Sequence, residues 1–355
     1  MHRKSQKIKD RQNAIVEYIA SQKNAAISDI FIFLQKRFPH ISRITIARDL
    51  TALCADQQLA RYGSGRGVRY TISPARDLIQ PIAVEPYFAI NQDDREIKNR
   101  FNWEIFDRLK TDFFSQTESK YLADLHQTFQ TNFKNIKSTT LLKKEFERII
   151  IEFSWKSSQI EGNTYSLLDT EALIKNHEKA KGKTETEAQM ILNHKSAFDF
   201  VLQNKSDFIV LTRAKLENVH NLLTAKLGIP RNIRKKPVGI TGTNYRPLDN
   251  AFQIGEALEK MLKLLNEKKM FFEKSLLALL LLSYIQPFED GNKRTARMMA
   301  NALLLAFDFS PISYRAVNEV EYKKASLLFY ERNNISYFKQ IFIEQYAFAV
   351  KNYFQ

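Results

Sequence analysis

The stretch of the sequence with the clearest chemistry is residues 286–297, which read QPFEDGNKRTAR. Pro287 ends the apolar helical pattern before it, and Gly291 and Asn292 open a second helical pattern near Lys293. A helix that begins there presents unpaired backbone N–H groups and the positive end of its dipole, where anions bind. The spacing therefore predicts a phosphate site at this helix start.

The charged side chains around that helix start are suited to a polyphosphate with a metal ion. Asp290 can hold Mg²⁺, which in turn bridges phosphate oxygens. Arg294 and Arg297 are three positions apart on one helical face, so both guanidinium groups can reach the same anion. Gln286 stands where a base would be useful, but an amide has no usable pKa. The pattern predicts polyphosphate binding without a proton acceptor at this position.

The rest of the chain indicates how these side chains are positioned. The run 276–282 is the strongest apolar stretch, and it is shorter than the ~20 residues that span a membrane. It predicts a buried helix and no membrane association, and Phe288 is expected to anchor the motif in the core. With 10 glycines and 9 prolines in 355 residues, and helical periodicity from about residue 102 onward, the fold class is expected to be mainly α.

Composition narrows the class of protein further. Hydrophobic residues make up 44% of the chain and charged residues 26%, as in soluble globular proteins. The single cysteine, Cys54, excludes an internal disulfide and gives no metal cluster, so it is expected to be a small core residue. No signal peptide is visible after Met1, and a cytoplasmic location is expected.

Positive charge is concentrated at the N-terminus. Residues 1–74 hold 13 Lys and Arg against 5 Asp and Glu, which gives +8 of the chain's formal +15. Apolar spacing predicts helices over Arg11–Ala20 and Ser28–Phe38, and a third that starts at Ser42. Ser28 and Ser42 are the predicted N-caps. This charge excess indicates a surface for nucleic acid.

The third helix and the segment after it carry the candidate DNA contacts. Opposite its apolar side the helix shows Arg43, Thr45 and Arg48, short or basic side chains that can reach bases and phosphates in a major groove. Alternating runs on both sides of residues 63–67 predict a hairpin whose turn bears Arg66. This order of elements resembles the winged helix-turn-helix domain of bacterial regulators, which implies a small α+β domain that binds DNA. A protein-binding winged helix or a solvated basic face stays open.

The phosphate motif resembles the signature of the Fic family, His-Pro-Phe-x-Asp/Glu-Gly-Asn-Gly/Lys-Arg-x-x-Arg. Residues 286–297 match it at every position except the first, where Gln286 replaces the histidine. The resemblance covers about residues 140–345 and implies an all-helical core. Most of the family transfers AMP from ATP to a protein hydroxyl, with that histidine as the base. The resemblance implies a metal ligand at Asp290 and nucleotide contacts from Gly291, Asn292, Lys293, Arg294 and Arg297.

A second segment resembles the autoinhibitory helix of the same family, Ser/Thr-x-x-x-Glu-Gly/Asn. It lies around residues 150–163, before the core, and its matching residues are Ser157, Glu161 and Gly162. In the family this glutamate pairs with the second motif arginine, which is Arg297 here. The carboxylate then occupies the place of a γ-phosphate, so the resemblance implies an inhibited site.

A third segment, residues 237–247, resembles the family's flap, a short β-hairpin that can clamp a target segment by strand addition. By the same resemblance Tyr322 lies near the nucleobase. The expected target contacts are Gly239, Ile240, Thr241, Gly242, Thr243 and Tyr245.

The expected organisation is a winged helix-turn-helix domain at 1–74, a linker at 75–100 and a Fic domain at 101–355. The expected function is transfer of AMP from ATP, with Mg²⁺, to Ser, Thr or Tyr hydroxyls of a target protein, which can be the chain itself. A general base contributes ~10²–10⁴-fold, so Gln286 predicts retained ATP binding with weak or absent transfer. Two other functions stay open: a nucleotide-sensing DNA-binding regulator without catalysis, and a hydrolase that removes AMP from proteins. A homodimer also stays open.

Overall fold

The computed structural model describes the backbone of residues 2–355 and the side chains of residues 6–65 and 67–355. The chain divides into two compact units, one of residues 1–80 with 107–121 and one of residues 81–106 with 122–355. Helices dominate the described residues, so the predicted mainly α fold class is confirmed. The side chain of Arg66, the predicted contact at the hairpin turn, lies outside the described residues.

The first unit begins with three helices and a small antiparallel sheet. The sheet has the strand order β1-β3-β2, and Leu59 pairs with Ile72 while Tyr62 pairs with Arg69. The hairpin predicted from the alternating runs is therefore present. The elements are α1 (His2–Gln22), β1 (Asn24–Ala25), α2 (Ile27–Arg37), α3 (Arg43–Ala55), β2 (Leu59–Tyr62), β3 (Arg69–Ile72) and α4 (Arg76–Ile79).

The first unit's helices start where capping chemistry allows. The Ser42 hydroxyl accepts a hydrogen bond from the Thr45 backbone N–H, so the predicted cap of α3 is confirmed. The predicted cap at Ser28 is wrong, because α2 begins at Ile27 and its N-cap is Ala26, two residues before Ser28. There the Asp29 carboxylate accepts from the Ala26 N–H at 3.1 Å, which is the bond that the N3 side chain makes in a capping box.

Helix α3 has one buried and one exposed side. Leu50 lies on the buried side, and the buried Asp49 accepts hydrogen bonds from the Arg11 guanidinium, one of them 3.0 Å long. This pair connects α3 to α1. Arg43 and Arg48 are exposed on the opposite side, as the sequence predicts. Cys54 packs at the edge of this unit's core and is only partly buried.

The second unit is built from helices, and the division between the units falls within α6 and α7. Its helices are α5 (Val84–Ala89), α6 (Ile105–Arg108), α7 (Gln116–Asn135), α8 (Thr139–Ile160), α9 (Leu167–Asn176), α10 (Glu185–Gln203), α11 (Arg213–Leu223), α12 (Ala251–Glu267), α13 (Phe271–Ile285), α14 (Asn292–Ala306), α15 (Glu319–Arg332) and α16 (Ser336–Asn352).

Helix α13 forms the centre of the second unit. Every residue from Phe272 to Ile285 is buried, as expected for a helix that is apolar all round, and α13 packs most extensively against α14. The predicted buried helix at 276–282 is thus confirmed. No described helix is long and apolar enough to cross a membrane. Phe288, just after α13, is fully buried, as the sequence predicts.

Helix α8 carries the segment expected to be inhibitory. It packs against α10 and also contacts α14. The helix ends at Ile160, with Glu161 as its C-cap and Gly162 in the left-handed region at φ +94°. Glycine adopts this backbone conformation without steric cost, so it ends the helix and leaves the Glu161 side chain at its C-terminal tip.

Candidate active site

A cleft with two lobes lies at the start of α14. The polar lobe has a volume of about 210 Å³, and the second lobe, with mixed lining, has about 510 Å³. Both lobes contact Glu161 and Lys293. A cleft with convergent polar groups at one end and aromatic rings at the other suits a nucleotide. The polar lobe is also lined by Val238, Gly239, Gln286 and residues 289–294, and the second lobe by Gly242, Tyr322, Leu327 and Tyr330.

The helix start is shaped by a glycine. Gly291 is the N-cap of α14 and has φ +80°. A Cβ atom there would lie 2.9 Å from Thr224 Cγ2 and 3.3 Å from His220 Nε2. Both the positive φ and the lack of room for a Cβ atom therefore require glycine at position 291. With glycine there, the first N–H groups of α14 reach the polar lobe.

Two buried arginines face this helix start. Arg294 is 2% exposed and Arg297 is fully buried. Arg294 Nη2 donates to Asp290 Oδ2 at 2.9 Å, but the Nη1 atoms of both arginines have no partner among the described residues. Buried donors without partners are rare in folded proteins. Phosphate oxygens would satisfy both donors, so these residues fit a polyphosphate.

Arg297 is held on three sides. Its Nε donates to Ser157 Oγ at 2.8 Å, and its Nη2 donates both to the Ser157 carbonyl oxygen at 2.9 Å and to Glu161 Oε1 at 2.8 Å. The Tyr322 ring lies 5.7 Å from its guanidinium carbon. The structure thus brings together Ser157, Glu161, Arg297 and Tyr322, which the resemblance placed in one site.

The Glu161 carboxylate is ionised in this setting. Burial by itself raises the pKa of Glu161, but the positive charges of Arg297, Lys293 and Arg294 and the hydrogen bond from Arg297 give a net lowering. Burial acts to lower the pKa of Arg297, but the charge of Glu161, the nearby Tyr322 and the hydrogen bonds to both give a net raising. An ionised carboxylate therefore occupies the cleft beside the two unpaired guanidinium donors.

Gln286 ends α13 in a left-handed conformation with φ +51°. Its side chain is 8% exposed, and both ends of the amide are engaged within the loop. Nε2 donates to the Ser283 carbonyl at 2.7 Å, and Oε1 accepts from Asn292 Nδ2 at 2.9 Å. The amide therefore connects the end of α13 to the start of α14 and offers the cleft no proton acceptor.

Asp290 fits a magnesium ion that binds together with phosphate. Its side chain is 68% exposed, and it accepts hydrogen bonds from Arg294 and from the Gly291 N–H. No described residues form a group of three or more His, Cys, Asp or Glu that could hold a metal alone. Mg²⁺ commonly uses one or two carboxylates plus substrate phosphates, so one carboxylate is enough here.

The expected β-hairpin in residues 237–247 is wrong. Within that segment, the only described bridge joins Arg246 to Arg100, in the parallel sense. The reason is that the segment's backbone groups bond to other parts of the unit instead of to each other. The Arg246 N–H donates to the Asn99 carbonyl at 2.9 Å, and the Gly242 carbonyl accepts from Arg95 at 2.7 Å. Residues 237–247, called the flap below, form an extended loop.

The flap residues differ in exposure. Gly239 and Thr241 are exposed at the cleft, and Ile240 lines both lobes. Thr243 and Tyr245 are buried, and the Tyr245 hydroxyl donates to the Tyr284 carbonyl at 3.0 Å. Only the first part of the predicted target surface is therefore accessible.

Sequence reasoning missed four residues that support the site. Arg95 holds the flap, and His194 contacts Ser157 Oγ through Nε2 at 2.9 Å. His220 donates through Nε2 to the Asp290 carbonyl at 3.0 Å and stacks on Phe288 with ring centres 3.6 Å apart. Arg234, 1% exposed, donates to the Gln286 carbonyl at 2.6 Å. None belongs to a local motif, so only a three-dimensional structure could reveal them.

This helical unit with its cleft has the fold of Fic proteins. A Fic-1 structure from Caenorhabditis elegans superposes with a TM-score of 0.55 over 67% of this chain and 71% of that chain, at 21% identity. A Fic domain containing signaling protein from Bacteroides thetaiotaomicron gives 0.54 over 65% and 94%, at 17% identity. At such identities the similarity shows the fold.

The sequence comparison points to one family. Residues 210–304 match the Fic/DOC family. Protein adenylyltransferase Fic from Aedes aegypti is 29% identical over 178 residues, and that from Nematostella vectensis is 27% identical over 198. The matches cover 48% and 51% of this chain and 35% and 43% of those proteins. The chain thus spans less than half the length of these curated relatives.

Proposed function

We propose that this chain binds ATP in the cleft and is a protein adenylyltransferase held inhibited by Glu161. The observation that carries the proposal is the state of Arg297, which is buried, held by Ser157 and paired with Glu161 at 2.8 Å. A γ-phosphate in the place of the Glu161 carboxylate would accept the same donors. The names of the sequence relatives support this reaction class.

In the proposed reaction, a hydroxyl oxygen of the target attacks the α-phosphorus of ATP. The new P–O bond attaches AMP to the target, and pyrophosphate leaves with the electrons of the broken bond. Arg294, Arg297 and the N–H groups at the start of α14 would stabilise the negative charge on the phosphate oxygens. Mg²⁺, held by Asp290 and the nucleotide, would neutralise charge on the leaving pyrophosphate.

The proton of the attacking hydroxyl has no base to accept it. Gln286 is buried and both ends of its amide are hydrogen-bonded within the loop, so the proton must go to water. The missing base is expected to lower transfer by ~10²–10⁴-fold. ATP binding does not depend on that proton and is expected to persist.

A second candidate function is a nucleotide-sensing regulator that binds DNA and performs no chemistry. The contacts of Gln286 favour it, because they stabilise the loop without contributing a reactive group. The exposed Arg43 and Arg48 on α3 also favour it, since they suit DNA phosphates. For residues 1–74 we propose a winged helix-turn-helix domain in either case.

The test restores the missing base and removes the inhibitory carboxylate. Four chains, the unaltered one, Gln286→His, Glu161→Gly and the double variant, are incubated with cell lysate and ATP labelled on the α-phosphate. Histidine suits position 286, since His177 already adopts φ +61° in this chain. We expect little label from the unaltered chain or Glu161→Gly, modest label from Gln286→His, and strong label from the double variant.

Gln286→Ala combined with Glu161→Gly is the matched control, because it removes the amide without supplying a base. It should stay as inactive as Glu161→Gly alone. A silent double variant that still binds ATP would favour the regulator. Release of AMP from modified protein would indicate a hydrolase, and label from the γ-phosphate alone a phosphotransferase. Strong transfer by the unaltered chain would contradict the role assigned to Gln286.

A further inference from the structure

His194 lies behind Ser157 and is completely buried. Its Nδ1 is 2.8 Å from the Met190 carbonyl oxygen, and its Nε2 is 2.9 Å from Ser157 Oγ. Nothing in the proposed AMP transfer uses this ring. Its contacts nevertheless lead directly to Arg297 through one hydroxyl group.

The hydrogen positions in this chain of contacts follow from the chemistry of the groups. A carbonyl oxygen only accepts, so His194 Nδ1 must carry a hydrogen and donate it to Met190. Burial, followed by the positive charges of Arg294 and Arg297, lowers the pKa of His194 to about 3, so the ring is neutral. Nε2 therefore has a lone pair and accepts the hydroxyl hydrogen of Ser157.

This arrangement fixes the direction of the Ser157 lone pairs. With its hydrogen on His194, Ser157 Oγ can only accept from Arg297 Nε, at 2.8 Å. A helical serine without such a partner commonly donates to the carbonyl four residues earlier, and its lone pairs turn with it. His194 prevents that rotation. The hydrogen bond from Arg297 Nε to Ser157 Oγ does not depend on Glu161.

We propose that His194 is a positioning residue, which orients the Ser157 hydroxyl so that Arg297 keeps its place in the cleft when nucleotide displaces Glu161. The inference rests on the proposed nucleotide site. It extends that site to a residue that touches neither ATP nor the target. The chain of contacts runs from Met190 through His194 and Ser157 to Arg297.

The test is a double-mutant cycle in the Glu161→Gly background of the full chain, where Arg297 is open to nucleotide. Binding of Mg²⁺-ATP is measured by titration calorimetry. His194→Leu and Ser157→Ala should each weaken binding about tenfold, as expected for a lost hydrogen bond to a charged group. The two changes together should weaken it by about the same tenfold, because both break one chain of contacts.

Two further variants separate positioning from general packing. His194→Gln can donate to Met190 and accept from Ser157, so it should restore most of the affinity. His40→Leu, at an exposed histidine in the first unit, should change nothing. Circular dichroism checks that each variant is folded. If His194→Leu does not fold, His194→Asn replaces it in the cycle, because its shorter amide cannot span both partners.

The outcomes distinguish this inference from the proposed function. Failure of the Glu161→Gly chain to bind ATP would overturn the nucleotide site and the role of His194 with it. Normal binding by that chain, with unchanged affinity in His194→Leu, would overturn only the role of His194. A loss of affinity of about a hundredfold when His194→Leu and Ser157→Ala are combined would also overturn only the role of His194. Such a loss means that the two effects are independent, since independent effects add in free energy.

Discussion

Gln286 shows how one residue can keep the shape of a site while changing its chemistry. A left-handed backbone at a residue with a side chain costs about 1–2 kcal/mol. The two amide hydrogen bonds, to Ser283 and Asn292, offset part of this cost. The residue thereby keeps the connection between α13 and α14 that presents the helix start to the cleft. Shape and chemistry at this position are therefore separable.

His194 should leave a signature in the pH dependence of stability. Its pKa is about 3 in the folded chain and near 6.5 when exposed, so the unfolded chain binds more protons between these values. The stability that it contributes is full above about pH 6.5 and falls as the pH falls. His194→Gln should flatten this dependence by up to about 1.4 kcal/mol per pH unit between about pH 6 and pH 5.

Urea unfolding at about pH 7, 6 and 5 checks this expectation. The charged groups that act on His194 are Arg294, Arg297 and Glu161, and the pKa of Glu161 is lowered, so its charge persists over this range. His40→Gln, at an exposed site, is the control and should leave the slope unchanged. Parallel slopes for the unaltered chain and His194→Gln would mean that the buried ring is not neutral.

Local sequence could predict only part of the site. The Glu161–Arg297 contact was implied by the resemblance of two short segments to Fic-family motifs, and the structure contains it. Arg95, Arg234 and His194 could not be anticipated, because each acts through a partner far away in sequence and none changes a helical or strand pattern. The helices were predictable from apolar periodicity and capping, whereas the flap depended on distant hydrogen bonds.

At the scale of elements, the flap is held by the segment that precedes the helical core. Residues 92–100, called the flap brace, bond to it at several points. Gln92 and Asp93 exchange side-chain hydrogen bonds with Asn244, and Arg95 Nη2 donates to the Gly242 carbonyl. The sequence predicted a packed linker at 75–100. In the structure residues 81–100 of this segment belong to the helical unit.

Arg95→Ala should both destabilise the second unit and loosen the flap. Arg95 is buried and pairs with the fully buried Glu331 at 3.1 Å. Removing one partner of a buried ion pair typically costs about 3–5 kcal/mol. Loss of the Gly242 contact should increase amide hydrogen exchange in residues 239–242. Urea unfolding and exchange measured by mass spectrometry report the two effects.

A second variant separates the two effects of Arg95. Arg95→Met with Glu331→Leu replaces the ion pair by apolar side chains of similar size, which is often neutral for stability. This variant should recover most of the unfolding free energy but still show fast exchange in the flap. Gln92→Ala, which removes only an exposed side-chain hydrogen bond to Asn244, should change stability little. Slow flap exchange in the double variant would show that Arg95 does not order the flap.

At the scale of the whole molecule, charge distinguishes the two ends of the chain. Residues 1–74 carry an excess charge of +8, and part of it is exposed on α3, where Arg43 and Arg48 lie at the surface. The Arg43 guanidinium is 5.2 Å from the Phe31 ring centre, which limits its movement without burying it. The exposed Ile44 lies between them and could contact a thymine methyl group. These features support the proposed DNA interface.

If that proposal holds, the affinity of the full chain for a random-sequence duplex of about 30 base pairs should fall steeply with salt. Each neutralised phosphate adds about 0.9 to the slope of log affinity against log salt, because counterions are released. Arg43→Ala and Arg48→Ala should each reduce the slope by about one. Fluorescence anisotropy measures the slope, and Arg231→Ala, an exposed arginine of the second unit, is the control. An unchanged slope in both α3 variants would leave the exposed face of α3 to a protein partner and remove DNA from the proposed function.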